Sequence, residues 1–129
     1  MRGSFFGRMR RRFFSGINRI LILLVLGKSR EPIYGYQIAK VLKRLSEGRI
    51  VINMSTLYSI LRRMESMGLV RSIWRRSPEG PPRRCYIITE QGRRILEEID
   101  IYLRLISKMI ESGEDIRSAS LVANTKFSL

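Results

Sequence analysis

The residue types best suited to recognition chemistry fall between positions 55 and 67. At a helical period of about 100° per residue, Leu57, Ile60, Leu61, Met64 and Met67 share one arc. Ser55, Thr56, Tyr58, Ser59, Arg62, Arg63 and Ser66 occupy the rest, with Glu65 nearer the edge. A merely solvated face would mix Glu and Lys pairs. This one sets short hydroxyls in its first turns and guanidinium groups behind them. Hydroxyls give and take hydrogen bonds at close range, and a guanidinium fork matches a guanine edge or a phosphate. A second group of cations, Arg75 and Arg76 followed by Arg83 and Arg84, brackets a turn-rich stretch at 76–82. Their chemistry is that of phosphate contacts.

Other chemistries lack their residues. The chain has no histidine, which removes the commonest general base and metal ligand. Its one cysteine, Cys85, can form neither an intramolecular disulfide nor a paired-cysteine metal knuckle. Cys85 reads as a small, semi-buried strand residue, consistent with a cytoplasmic protein. Neither a glycine-rich phosphate loop nor a convergent set of carboxylates is visible, so the expectation is no enzyme, no metal and no cofactor. Lys and Arg number 25 against 11 Asp and Glu, a net charge of +14 on 129 residues. Such an excess favours a polyanionic partner, because bound cations displace condensed counterions.

Helices and a hairpin have to position these groups. Residues 1–12 form a basic arm of arginine, glycine and phenylalanine whose composition gives no reason for autonomous structure. The segment 13–26 is apolar on nearly every side, and a helix of that kind must be covered on more than one face. Arg10, Arg11 and Arg12 before it imitate an export signal, but Asn18 and Arg19 interrupt the run and no cleavage pattern follows. It is also shorter than the roughly 20 apolar residues needed to span a bilayer, so it reads as a buried helix ended by Gly27. A second helix at 34–46 carries Ile38, Val41, Leu42 and Leu45 inward and Lys40, Lys43 and Arg44 outward, with Gly48 as its stop. A short extended piece, 50–52, follows.

Ser55 is the expected N-cap of the third helix, which runs over 55–67 with Gly68 beyond its end. Strands at 69–75 and 83–89 then form a hairpin with a long tip. Thr89 caps a fourth helix; Gly92 at its third position leaves the capping box incomplete. Ile95, Ile99, Tyr102, Ile106 and Met109 repeat along it with alternating spacings of four and three, and Leu96, Leu103 and Ile110 form an adjacent line. This coiled-coil-like seam predicts a dimer interface, joined by the surplus apolar surface of the first helix at Leu21 and Leu24. Residues 113–129 read as a polar tail. Trp74 reads as wing or core packing rather than an effector platform.

The predicted architecture is mainly α with a small β-hairpin wing: a winged helix-turn-helix plus a C-terminal dimerisation helix. Its divisions are an arm at 1–12, a DNA-binding domain at 13–92, the dimerisation helix at 93–112 and the tail at 113–129. Such an assembly presents its third helix to a major groove while the second crosses the backbone.

Residues 20–92 resemble the PadR-like transcriptional regulators. The resemblance lies in Ile22-Leu23-Leu24-Val25-Leu26, Tyr34-Gly35-Tyr36-Gln37-Ile38, Ser55-Thr56-Leu57-Tyr58, and Leu61-Arg62-Arg63-Met64-Glu65 with Gly68-Leu69-Val70. The stretch Arg83-Arg84-Cys85-Tyr86-Ile87-Ile88-Thr89-Glu90-Gln91-Gly92 is similar to the family's basic strand and its Tyr-x-Leu-Thr-x-x-Gly ending. Each motif alone is weak; their order and spacing are fairly specific. The resemblance implies a winged helix-turn-helix, a homodimer built through the C-terminal helix, and usually repression of a promoter. It puts Thr56, Tyr58, Ser59 and Arg62 against DNA. Tyr34 stands where the family often carries histidine. The C-terminal helix is single and short, as in the smaller members, and nothing defines a pocket for a small-molecule effector.

The leading expectation is a homodimer that reads double-stranded DNA as an inverted repeat. A non-specific architectural protein on DNA or RNA would use the charge alone. A membrane-surface role is disfavoured, because the apolar faces are matched by elements that need them.

Overall fold

The computed structural model describes residues 4–115 and Arg117. It divides into two compact units, Met1–Glu98 and Ile99–Leu129.

In the first unit, α1 (Phe5–Lys28) opens at a Ser4 cap, whose hydroxyl accepts from the Gly7 N–H at 3.0 Å. The helix therefore starts eight residues before the expected position, and residues 5–12 are helical rather than an irregular arm. Their spacing explains it: Phe6, Met9, Phe13 and Ile17 recur at three and four, a helical stripe that composition alone obscures. Gly27 does not end α1. It lies inside, where a Cβ would collide with the Leu96 side chain. Only Ile22, Leu23 and Leu26 of α1 are buried, and no described residue before Ile22 is.

A two-residue strand, β1 (Ile33–Tyr34), leads into α2 (Gly35–Leu45), where Gln37 Oε1 accepts from the Tyr34 N–H at 2.8 Å. Ile38 and Leu42 are buried, whereas Leu45, expected inside, is 70% exposed. Residues 50–52 form no strand; the third strand of the sheet is β1 instead.

The next helix, α3 (Met54–Ser66), is capped by Asn53, not Ser55. Asn53 Oδ1 accepts from the N–H groups of Ser55 (2.8 Å) and Thr56 (3.4 Å) and from the Ser55 hydroxyl (2.7 Å). Asn holds two donors of the first turn where Ser would hold one. Leu57, Leu61 and Met64 are buried; Met67, expected among them, is half exposed. Gly68 takes a φ of +80°, and the bonds Gly68 N–H to Glu65 O (3.0 Å) and Leu69 N–H to Met64 O (2.9 Å) close a Schellman ending.

β2 (Val70–Ser77) and β3 (Gly80–Ile88) form an antiparallel hairpin, with β1 on the other edge of β3. The tip is shorter than expected: Ser77 pairs with Gly80, and only Pro78 and Glu79 turn. Pairing slips between Arg75 and Ser77, so that Pro81 and Pro82 lie opposite Arg76. A bulge there accommodates residues that have no N–H to give the ladder. Val70, Cys85, Tyr86 and Ile88 complete the core beneath the helices.

α4 (Glu90–Glu111) starts at Thr89, whose hydroxyl accepts from the Gly92 N–H at 3.0 Å and donates to Gly68 O at 2.6 Å. The incomplete capping box now has a cause. A Cβ at Gly92 would run into the Leu69 carbonyl, so no Glu or Gln fits.

The second unit comprises the rest of α4 and the residues after it. Tyr102, Ile106, Met109 and Ile110 are each at least half exposed, and Leu103 is 38% exposed. Most of the expected tail lies outside the described residues.

Candidate nucleic-acid interface

The outward face of α3 comes first. Ser55, Thr56, Ser59, Arg62 and Arg63 are exposed, over an arc opposite Leu57, Leu61 and Met64. Because Asn53 absorbs the first free N–H groups, the helix start is fixed while the Thr56 and Ser59 hydroxyls stay at the surface.

Tyr58 is only half exposed. Its ring packs over Gly35, where a Cβ would come within 2.7 Å of Tyr58 Cε1, and lies 6.4 Å from the Tyr86 ring. Tyr58 is thus wedged between α2 and β3, with Tyr34, Tyr36, Arg83 and Arg84 completing an open cleft of about 500 Å³. The sequence carried a signal for it: three tyrosines lie beside the two expected cationic segments. Lys40 stands on α2 with its ammonium 5.4 Å from the Tyr36 ring centre.

The wing arginines divide into two sets. Arg75 and Arg83 are paired directly across β2 and β3, both exposed, with the Arg83 guanidinium 5.3 Å from the Tyr34 ring centre. Like charges facing each other destabilise a ladder, and an anion between them would remove that penalty. Arg76 is exposed at the bulge. Arg84 also borders the cleft but is held differently. Its Nη2 lies 3.4 Å from Glu65 Oε1 and 3.1 Å from Ser72 Oγ, and its guanidinium sits 5.7 Å from the Trp74 ring centre. Glu65 Oε2 also accepts from the Ser72 hydroxyl at 2.7 Å and its N–H at 3.3 Å. Arg84, expected at the interface, therefore ties the hairpin to the end of α3. Sequence reading missed Glu65 as its partner because the two are 19 positions apart. Trp74, 65% exposed, supports Arg84 from the wing surface.

Cys85 is buried, and burial pushes its thiol up, only partly offset by the Arg75 charge and a hydrogen bond with Tyr34. A raised thiol is a poor nucleophile near neutral pH. Among the described residues no cluster of metal-ligating side chains occurs, and no helix is long and apolar enough to cross a membrane.

Comparison with known proteins gives the family and the fold. The sequence profile of the transcriptional regulator PadR-like family matches residues 22–98. This chain belongs to the PadR-like family. Its members are transcriptional regulators, and the matched segment covers the winged helix-turn-helix and the first turns of α4. A PadR-family transcriptional regulator from Eggerthella lenta is 32% identical, with a TM-score of 0.59 over 84% of this chain and 97% of that one. Bacillus subtilis PadR, solved in complex with operator DNA, shares the fold at 17% identity, with a TM-score of 0.58 over 85% of this chain and 66% of that one. The Escherichia coli transcriptional regulator YqjI is 29% identical over 82% of this chain. The chain spans about half, 48%, of the length of the curated relatives it matches.

Proposed function

We propose that this PadR-like chain is a sequence-specific double-stranded DNA-binding repressor that acts as a homodimer on an inverted-repeat operator. The observation that carries the reading is the α3 face: Thr56, Ser59 and Arg62 point outward from a helix whose start is pinned by Asn53 and whose end is pinned by Gly68 and Glu65. Ser55 and Tyr58 border that face. A rigid helix with short polar side chains at its leading end fits a major groove and reads base edges there. Arg63 and Lys40 take flanking phosphates, and Arg75, Arg76 and Arg83 take those reached by the wing. Arg84 is assigned to the scaffold, because Glu65 and Ser72 hold it.

The homodimer draws on two apolar surfaces that are exposed or half-buried among the described residues. One is the α4 seam of Ile95, Ile99, Tyr102, Leu103, Ile106, Met109 and Ile110. The other is the α1 stripe that runs from Phe6 and Phe13 through Ile17 to Leu21 and Leu24. Pairing two copies sets two recognition helices about 34 Å apart, one helical turn of DNA. Occupation of such a site within a promoter blocks transcription, and a regulator of this kind works in the cytoplasm.

Footprinting on the DNA upstream of the protein's own gene tests the whole reading. Two protected half-sites in inverted orientation are expected. Even protection of every sequence would instead indicate an architectural protein that uses charge alone.

A further inference from the structure

We propose that the N-terminal half of α1 is a second DNA contact: an arginine face that grips the phosphate backbone outside the groove read by α3. The inference rests on the duplex-binding reading above and adds a surface that reading does not use.

At about 100° per residue, Arg12 and Arg19 fall within, and Arg11 lies about 20° beyond the edge of, the arc that Ile22, Leu23 and Leu26 occupy further along the same helix. Those three are the residues by which α1 packs on the domain. The arginines are exposed and continue the same face past the end of the packing. The face thus looks toward the side on which α1 meets α2 and β3, and α2 in turn meets α3. Arg8 lies on it as well. From Met1 through Arg30 the sequence has no Asp or Glu, so no acidic neighbour along the helix competes for Arg11, Arg12 and Arg19. Arg11 and Arg19 are separated by about 12 Å along the axis, and one DNA strand presents a phosphate about every 3.4 Å. Three phosphates are within the span.

The opposite arc decides against a lipid surface. Phe6, Met9, Phe13 and Ile17 are 69%, 40%, 78% and 41% exposed. Their arc is centred roughly 145° from the arginine arc. A helix sunk into a bilayer by its phenylalanine face would lift Arg11, Arg12 and Arg19 away from the headgroups, whereas interfacial helices hold their cations against them. The same apolar arc continues into Leu21 and Leu24, the surface assigned above to the second copy. With that face covered by protein, the arginines remain outward.

The test uses the full chain with all three arginines changed together (Arg11→Gln, Arg12→Gln, Arg19→Gln), beside a control with the same positions changed to Lys. Binding to a random-sequence duplex and to the footprinted site is measured from 50 to 300 mM salt. The Gln variant is expected to flatten the dependence of log K on log salt by about 2–3 per subunit, since each phosphate contact contributes about 0.9. The ratio of specific to random affinity stays the same, because phosphates carry no sequence. The protected region shortens on both flanks, and the Lys control keeps the wild-type slope. An unchanged slope and footprint in the Gln variant overturns the proposal while leaving the duplex-binding reading intact. So does a Gln variant whose only loss is binding to phosphatidylserine vesicles. A wild-type chain that binds no duplex at all removes both.

Discussion

Gly35 and Tyr58 interlock: the first residue of α2 has no side chain, and the Tyr58 ring of α3 lies in the space a Cβ would need, with its hydroxyl oxygen 2.9 Å from that point. α2 and α3 are thereby held at one distance. Glycine serves here by close approach, not by an unusual backbone angle.

Gly35→Ala should therefore push the Tyr58 ring outward or part the two helices. Overpacking of this kind costs about 1–3 kcal/mol, read as a lower denaturant midpoint. Affinity for specific DNA should fall further than stability alone explains, because Thr56 and Ser59 move with Tyr58. A variant of wild-type stability and affinity would show that the two helices do not depend on this contact.

Removing the cap should be felt at the start of α3 and nowhere else. Asn53→Ala leaves the Ser55 and Thr56 N–H groups without their acceptor. The expected loss is about 1 kcal/mol, with faster amide exchange at Ser55 and Thr56. Asn53→Ser should recover part of it, and Ser55→Ala should cost little. The opposite ranking would restore Ser55 as the cap.

Arg62 and Arg76 should fail differently. If Arg62 meets a guanine edge, Arg62→Ala costs about 1–3 kcal/mol on the specific site and flattens discrimination between sites. If Arg76 meets a phosphate, Arg76→Ala should weaken all sequences alike and reduce the salt slope by about 1. Competition binding against random duplex separates the two patterns.

Cys85 should resist alkylation in the folded protein. Burial raises its thiol, so less thiolate is present at any given pH than for a free cysteine. The reaction with iodoacetamide at mildly alkaline pH should be slow until denaturant exposes the strand. Fast labelling of the native chain would contradict the burial of Cys85 between β1 and β2, where it pairs with Tyr34 and Ile73.

What the sequence determined by itself is what depends on neighbours along the chain. The polar and apolar arcs of α3, the glycine that ends it, the two strands of the wing and the Thr89 cap follow from periodicity and short-range hydrogen bonding, which are written into spacings of two to four residues. The α1 stripe from Phe6 to Ile17 belongs to this class too, and the arginines and glycines around it hid it.

Only the tertiary structure decided where the longer-range partners meet. Ile33 pairs with Tyr86, Glu65 with Arg84, and Gly27 with Leu96. Leu45 sits on the expected stripe yet stays exposed, because no described element packs over the end of α2 there. Arg84 repeats the residue type of Arg83, but alternation along β3 turns one toward Glu65 and the other toward solvent. Composition cannot tell such neighbours apart, since the difference lies in which face of the sheet another element covers.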